Sequence, residues 1–393
     1  MNLAVALEGC GWHPAAWREP DARPSETLSA RYWVDLITQA EAGLLDFVTL
    51  EDALALQSSR SRPDGRTDQL RGRLDAVLIA ARAAPLTTHI GLVPSVTVTH
   101  TEPFHISKAV ATLDFVSTGR AGVRVQVSGR AGEAAHFGRR RFPDDLYRSR
   151  DRPEYRAVMD DLFEEAADYV EVVRRLWDSW EDGAEIRDAA TGRFIDRDKL
   201  HYIDFEGRWF SVKGPSITPR PPQGQPLVAA LAHSSLPYRF AARHCDLVYV
   251  TPSNAADSGA IVAEIWAQAR AVGRAPDTLR IFADVLVFLD GTTAEAEGRQ
   301  ARLDERDGRT LRSDATVFAG TASDLADLLS EWHETGLSGF RLRPGCIPHD
   351  LDAITAHLLP QLQHRGRFRR GYQAATLRGH LGLPRPANRY ATL

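Results

Sequence analysis

Polar side chains follow five apolar runs of the chain, at the point where each run ends. Glu8, Cys10 and His13 follow the first run, and Glu51 and Asp52 follow the second. The other three runs end in hydroxyl, amide, guanidinium and imidazole groups, namely Ser95, Thr97, Thr99, Arg124, Gln126, Ser128, His233, Ser234 and Ser235. Acids and bases gathered in this way could move protons or hold a cofactor. We take Glu8, His13 and Arg124 as candidate catalytic residues, although composition alone would equally allow ordinary loop residues.

The fifth run points to a binding site for an anion. Ala230-Leu231-Ala232 leads into His233, Ser234 and Ser235, and a helical pattern follows at once. The first N–H groups of a helix have no partner within the helix and attract negative charge. A simpler role is that Ser234 or Ser235 caps the helix, as serines often do. The two roles are compatible.

Composition and motifs exclude several classes of function. The net charge of −4 disfavours a dedicated nucleic-acid binder, because the phosphate backbone selects for positive surfaces. Cys10, Cys245 and Cys346 are too few and too scattered for a disulfide framework or a zinc site, so no metal is expected. No apolar run approaches the length of a membrane span, and we expect a soluble cytoplasmic protein. The motifs GxGxxG after a strand, GxxxxGK[ST], HExxH and GxSxG do not occur.

Strand-like and helix-like segments alternate along the chain. Helical periodicity separates eight short apolar runs, which we predict as strands at residues 3–7, 46–50, 89–97, 122–128, 227–231, 247–251, 281–289 and 339–342. Alternation of this kind indicates a parallel sheet, and eight units favour a closed (β/α)₈ TIM barrel over an open doubly wound sheet. The carboxyl ends of the strands then meet at one mouth, where the five sets of polar residues would lie together.

Three segments exceed a minimal barrel. Residues 129–160 form a predicted insertion after the fourth strand, and residues 184–224 form a second one ending in Pro219-Arg220-Pro221-Pro222. Insertions after barrel strands gather at the mouth, so the first could cover the site. Residues 365–393 form an arginine-rich C-terminal tail, which we expect to pack on its own barrel or on a neighbouring subunit. We treat residues 1–393 as a single domain.

The sequence resembles the luciferase-like flavin-dependent monooxygenases, in particular the branch of nitrilotriacetate, EDTA and dibenzothiophene-sulfone monooxygenases. The resemblance covers nearly the whole chain. It rests on AAWREPD (15–21), LLDFVTLEDALAL (44–56), HIGLVPSVTVTHTEPFHISK (89–108), ATLDFVSTGRAG (111–122), VEVVRRLWDSWEDGA (170–184), FEGRWFSVKGPSITPRPPQGQP (205–226), AHSSLPYRFAARHCDLVYVT (232–251) and LPQLQHRGRFRRGYQAATLRGHLGL (359–383). The set of motifs in this order is specific, whereas any one of them would be weak.

This resemblance implies a two-component monooxygenase. Such an enzyme receives reduced FMN from a separate NAD(P)H-dependent flavin reductase and uses O₂ to oxygenate a small organic substrate through a flavin C4a-(hydro)peroxide. The cofactor performs the oxygen chemistry, while the protein supplies a dry pocket and fixed hydrogen bonds. The resemblance also implies a homodimer or homotetramer.

The family's flavin-binding positions can be carried over residue by residue. Its acid after the second strand matches Asp52, its hydroxyl on the third strand matches Ser95 with Thr97 nearby, and its phosphate-binding serine pair matches His233 and Ser234. We add Gln126 and Ser235 from the same strand ends to the candidate cofactor-binding residues.

Besides His233, which replaces a serine, three positions depart from the family pattern. Arg124 replaces an asparagine that contacts the flavin, and a guanidinium there would favour anionic reduced flavin. Met159 and Phe163 replace a histidine and a tyrosine near the flavin phosphate, although His136, Tyr147 or Tyr155 could substitute. The barrel fold alone also permits a deazaflavin-dependent oxidoreductase of the same superfold. The three departures motivate a second alternative, a catalytically altered, flavin-binding accessory subunit.

Overall fold

Eight parallel strands close into a barrel in the computed structural model, which describes residues 1–57, 65–148 and 151–391. The barrel strands, in chain order among all strands, are β1 (Asn2–Leu7), β2 (Phe47–Leu50), β3 (Gly91–Thr97), β4 (Gly122–Gln126), β9 (Leu227–Leu231), β10 (Leu247–Val250), β11 (Arg280–Leu289) and β13 (Gly339–Pro344). Pairing of β10 with β11 and of β1 with β13 completes the ring. The predicted (β/α)₈ barrel is confirmed.

The remaining strands lie outside the ring. Two small antiparallel pairs, β5 (Glu185–Asp188) with β6 (Arg193–Ile195) and β7 (Phe205–Glu206) with β8 (Ser211–Val212), lie within the predicted second insertion. β12 (Thr316–Gly320) pairs with the carboxyl half of β11. The strand predicted over 122–128 ends at Gln126, two residues early.

Helices surround the barrel. They are α1 (Ala30–Ala42), α2 (Ala76–Ala83), α3 (Pro103–Val116), α4 (Ala131–Phe137), α5 (Pro153–Asp178), α6 (Ser235–His244), α7 (Ala255–Ala271), α8 (Thr293–Asp307), α9 (Ala322–His333), α10 (His349–Ala353), α11 (Leu359–His364) and α12 (Leu377–His380), with a π-helical turn, Ile354–Leu358, between α10 and α11. In the described residues no helix has both the length and the apolar character needed to cross a membrane.

Two helices differ from the sequence-based expectation. Sequence periodicity missed α8, because its fifteen residues contain a single large apolar side chain, Leu303, to mark the buried face. The first insertion was predicted to extend to residue 160, but α5 begins at Pro153, where the ring fixes a helical φ at the first position.

The C-terminal tail closes the amino ends of the barrel strands. Leu377, Leu381 and Leu383 share a buried cluster with side chains from inside the barrel, among them Phe47 and Phe282. Polar contacts fasten the tail to the strand starts, including Asn2 Nδ2 to His380 O (3.1 Å), Leu377 N to Gly119 O (3.0 Å), Arg280 Nε to Leu381 O (2.7 Å) and Arg378 Nη1 to Asp246 Oδ1 (3.1 Å). Of the two expected positions for the tail, the structure shows packing on its own barrel.

This packing gives a stability prediction. Leu377 is fully buried, so we expect Leu377→Ala to lower the free energy of unfolding by about 2–5 kcal/mol, because the truncation leaves a cavity. Leu78 on α2 is 69% exposed and provides the control: Leu78→Ala should change it by less than about 0.5 kcal/mol. Urea denaturation measures both. Equal effects of the two substitutions would contradict the conclusion that the tail stabilises the barrel by closing the amino ends of its strands.

Candidate active site

A cavity of about 670 Å³ opens at the mouth of the barrel. Its walls come from the segments that follow β1 and β2, from residues 69–73, and from the loop after α8. It is lined by Glu8, Cys10, His13, Glu51, Asp52 and Gln126, all of which were expected at the mouth from their strand-end positions. Trp12 and Trp17 also line the cavity, so its wall is partly charged and partly aromatic.

An ion pair lies at the base of this cavity. The Arg124 guanidinium donates to the Glu51 carboxylate, to Ser95 Oγ (2.9 Å) and to Gln126 Oε1 (3.1 Å). Arg124 and Glu51 are 6% and 9% exposed at the side chain. The guanidinium of Arg124 was expected to favour anionic reduced flavin. In the structure its charge is paired with that of Glu51.

The same carboxylate belongs to a larger network, which we call the charge cluster: Glu51, Arg124, Asp284, Asp314, Arg341 and Arg343. Glu51 Oε1 also accepts from Arg341 Nη1 (3.2 Å). Asp284 accepts from Arg341 Nε (2.8 Å) and Arg343 Nε (3.0 Å), and Arg343 Nη1 donates to Asp314 Oδ1 (2.6 Å). Burial alone would raise the pKa of Glu51, but Arg124 and Arg341 outweigh it and lower that pKa below its ordinary value.

Sequence reasoning missed Asp284, Asp314, Arg341 and Arg343. A signal was present for three of them. Arg341 and Arg343 stand two residues apart on β13, so both face the same side of the sheet, and Asp284 interrupts the long apolar run of β11. Charged residues at inward positions of neighbouring strands indicate mutual neutralisation inside the barrel. Asp314 has no comparable signal, because it lies on a loop.

Glu8 is an acid of the cavity wall whose pKa is strongly raised. Burial raises the pKa of its carboxyl group to about 7, although Arg73 opposes the shift, and the nearby Glu51 and Asp52 add to it. Arg73 Nη2 donates to Glu8 Oε1 at 2.9 Å. A carboxyl group with a pKa near neutrality can both hold and release a proton at physiological pH.

His13 and Asp52 have structural partners. His13 Nδ1 accepts from the backbone N–H of Ala15 (3.1 Å), which leaves Nε2 as the donor to Asp304 Oδ1 (3.1 Å). Both ring nitrogens are thus engaged, and burial lowers the pKa of His13 despite Asp304. Asp52 accepts from the backbone N–H groups of Ala53 (2.7 Å) and Ala76 (3.0 Å). The Asp52 side chain therefore fixes the entry to α2 while it lines the cavity.

The predicted anion site lies at the start of α6. His233 is exposed, with Nδ1 3.0 Å from Thr251 Oγ1 and Nε2 3.5 Å from Asp314 Oδ2. Ser234 is the N-cap residue, but its side chain makes no capping hydrogen bond. Ser235 Oγ donates to Glu264 Oε1 (2.5 Å) on α7. His233 thus connects the anion site to the charge cluster through Asp314.

Three other predicted residues do not line the cavity. Thr97 is buried, and its hydroxyl has no hydrogen-bond partner among the described residues. Met159 and Phe163 lie on α5, where Phe163 packs edge-to-face on Phe240 of α6 with ring centroids 5.5 Å apart. Of the suggested substitutes, Tyr147 accepts a hydrogen bond from Gly129 N at 2.8 Å.

A barrel whose mouth holds buried acids, an ion pair and a helix N-terminus is typical of an enzyme. The chain belongs to the luciferase-like monooxygenase family, whose sequence model matches residues 12–334. This match confirms the family, and with it the monooxygenase class, that the sequence motifs indicated.

Individual relatives match the chain over almost its full length. It is 30% identical to nitrilotriacetate monooxygenase component A of Aminobacter aminovorans, covering 100% of this chain and 98% of the relative. N-acetyl-S-(2-succino)cysteine monooxygenase of Bacillus subtilis is 29% identical with the same coverage. Among solved structures, EDTA monooxygenase from Chelativorans superposes with a TM-score of 0.83 at 22% identity, covering 98% of both chains. An F420-dependent reductase from Methanopyrus kandleri reaches only 0.59 at 14% identity, so the deazaflavin enzymes are distant.

Proposed function

We propose that this protein is the oxygenase of a two-component system that binds reduced FMN and uses O₂ to oxygenate a small organic substrate. The observation that carries the proposal is the cavity of about 670 Å³ at the barrel mouth, in a chain that the monooxygenase family model matches over residues 12–334. The volume is in the range of sites that enclose a cofactor or small ligand. Two of the residues that the family resemblance and the strand-end pattern assign to the flavin, Asp52 and Gln126, line this cavity.

The donor set fits FMN. Asp52 and Gln126 bring a carboxylate and an amide to the cavity wall, as a site for a polar cofactor requires. The start of α6 supplies N–H groups without helical partners, and His233 and Ser234 add side-chain donors there, as a phosphate requires. We assign Asp52, Ser95, Thr97, Gln126, His233, Ser234 and Ser235 to FMN binding, with Arg124 behind Glu51. Met159 and Phe163 would pack apolar surface near it.

Bound FMN would supply the activation of O₂, and the chain supplies the environment. Glu8 holds a proton at the cavity wall, and Arg73 orients its carboxyl group. Trp12 and Trp17 would give the bound cofactor an aromatic wall. His13 acts through Asp304 and Ala15, so we propose it as a residue that positions the loop after β1.

A flavin reductase that uses NAD(P)H would deliver the reduced FMN. One relative is named as a component A. Another is one of the named subunits of pristinamycin IIA synthase from Streptomyces pristinaespiralis, and it is 27% identical over 98% of this chain. These names describe enzymes made of more than one component. We also propose a homodimer or homotetramer located in the cytoplasm.

An anaerobic titration tests the proposed function. We expect photoreduced FMN to bind with a 1:1 stoichiometry, and the complex to consume O₂ when oxygenated buffer is added. If reduced FMN binds but the complex consumes O₂ no differently from free reduced FMN, the result would favour the accessory-subunit alternative. If FMN binds in neither redox state, the proposal is wrong.

The role of His233 can be tested with a matched ligand pair. We expect His233→Ala to weaken FMN binding by about tenfold, because it removes one hydrogen bond to a charged group. Binding of riboflavin, which lacks the phosphate, should be unchanged. Fluorescence quenching of the flavin measures both dissociation constants, and an equal loss for the two ligands would contradict a phosphate contact.

A further inference from the structure

Of the two charged side chains in the Glu51–Arg124 ion pair, Glu51 lines the cavity. Arg124 lies behind it and does not belong to the cavity wall. One oxygen of Glu51 accepts from Arg124, while the other accepts from Arg341 Nη1 and Thr49 Oγ1, both at 3.2 Å. Three groups therefore fix the carboxylate, and it remains ionised because its pKa lies below the ordinary value.

The charge cluster is formally neutral. It contains three guanidinium groups, on Arg124, Arg341 and Arg343, and three carboxylates, on Glu51, Asp284 and Asp314. Five of the six side chains are less than 10% exposed, whereas Asp314 is 40% exposed. Water screens such charges weakly, so the loss of one carboxylate leaves a positive charge beneath the cavity that acts on any ligand within it.

We propose that Glu51 sets the balance between reduced and oxidised FMN by cancelling the charge of Arg124. This inference rests on the proposed function, namely that the cavity holds FMN. Reduced flavin becomes anionic when its ring loses a proton, whereas the oxidised ring is neutral. A free guanidinium would therefore bind the reduced form preferentially. Glu51 removes that preference, so the oxygenase can take up reduced FMN and still release oxidised FMN after each cycle.

Three variants separate charge from structure. Glu51→Gln keeps the side-chain size and gives the cluster one net positive charge, while Arg124→Gln gives it one net negative charge. The double variant Glu51→Gln/Arg124→Gln is neutral again. The dissociation constants of oxidised and photoreduced FMN are measured anaerobically for each variant, and their ratio is compared with that of the wild type. Near-ultraviolet circular dichroism verifies that each variant is folded.

We expect Glu51→Gln to shift the ratio of dissociation constants about tenfold towards reduced FMN, since an opposite charge nearby stabilises an ionised group by at least this factor. A tenfold shift corresponds to about 30 mV in the two-electron potential of the bound flavin. Arg124→Gln should shift the ratio in the opposite direction, and the double variant should restore the wild-type ratio.

The outcomes distinguish this inference from the proposed function. If the wild type binds FMN but the ratio is the same in all folded variants, Glu51 does not set the redox preference, although the oxygenase proposal stands. If the wild type does not bind FMN at all, the proposed function itself is wrong. If only Glu51→Gln is unfolded, the other two variants still test the inference. A ratio of dissociation constants in Arg124→Gln equal to that of the wild type would overturn it.

Discussion

Asp284→Asn is expected to lower the free energy of unfolding by about 3–5 kcal/mol. Asp284 is fully buried on β11 and is the shared acceptor of Arg341 and Arg343, whose side chains are each 1% exposed. Removal of one partner from a buried ion network leaves uncompensated charge, and this cost exceeds the loss of the contact itself. Equilibrium unfolding in urea, with the denaturant slope verified as unchanged, measures the difference.

The matched control is an acid whose ion pair lies in water. Glu102 pairs with Arg139 at 2.5 Å, and the two side chains are 55% and 56% exposed. Glu102→Gln should change the free energy of unfolding by less than about 1 kcal/mol, as is usual for surface pairs. If Asp284→Asn costs no more than this control, the charge cluster does not hold the barrel together.

Glu8→Gln is expected to lower the oxygenation rate about a hundredfold and to abolish its pH dependence near neutrality. The pKa of Glu8, about 7, means that the protonated carboxyl becomes scarce above this pH, so the wild-type rate should fall about tenfold for each further pH unit. The amide of glutamine preserves the hydrogen-bonding shape but cannot release a proton. The measurement is a profile of kcat/KM from pH 5 to 9.

Stability gives a second, activity-independent measure of the same group. Because the folded-state pKa of Glu8 lies above its ordinary value of 4.5, the folded protein binds more protons than the unfolded chain between these pH values. The contribution of Glu8 to the free energy of unfolding is therefore full below pH 4.5, decreases by about 3 kcal/mol as pH rises to 7, and stays constant above. In Glu8→Gln the free energy of unfolding should not show this decrease between pH 4.5 and 7.

Asp307 provides the control for both measurements. It lines the same cavity but accepts from Gln69 Nε2 at 2.7 Å and pairs with Arg66 at 2.9 Å. Asp307→Asn should keep an inflection near pH 7. If the inflection survives in Glu8→Gln instead, another group or the flavin itself controls the proton, and the assigned role of Glu8 is wrong.

Much of the architecture could be predicted from local patterns. The eight barrel strands were found because each is an apolar run of strand length, and the residues that follow β1, β2 and β4 meet at the mouth because parallel strands share one carboxyl edge. α8 could not be found, since its sequence is polar on nearly every side and only tertiary contacts define its buried face.

The electrostatics of the site could be predicted only in part. Arg124 was recognised as unusual, yet its partner Glu51 is 73 residues away, and their pairing depends on how β2, β3 and β4 align across the sheet. Arg341 and Asp284 lie on neighbouring strands that are distant in sequence. The residue types show that charged side chains are present. Which of them pair with each other depends on the register between neighbouring strands.

The leucine side chains of the tail fill the amino ends of the described strands, and the cavity opens at the opposite end, at the mouth. Under the proposed function, flavin, O₂ and substrate share that mouth and must arrive in a productive order. A substrate molecule that enters ahead of the flavin would obstruct it, so high substrate concentration should inhibit turnover, and additional reduced flavin should relieve the inhibition. The order of arrival would then follow from the shape of the fold, with no dedicated gating residue.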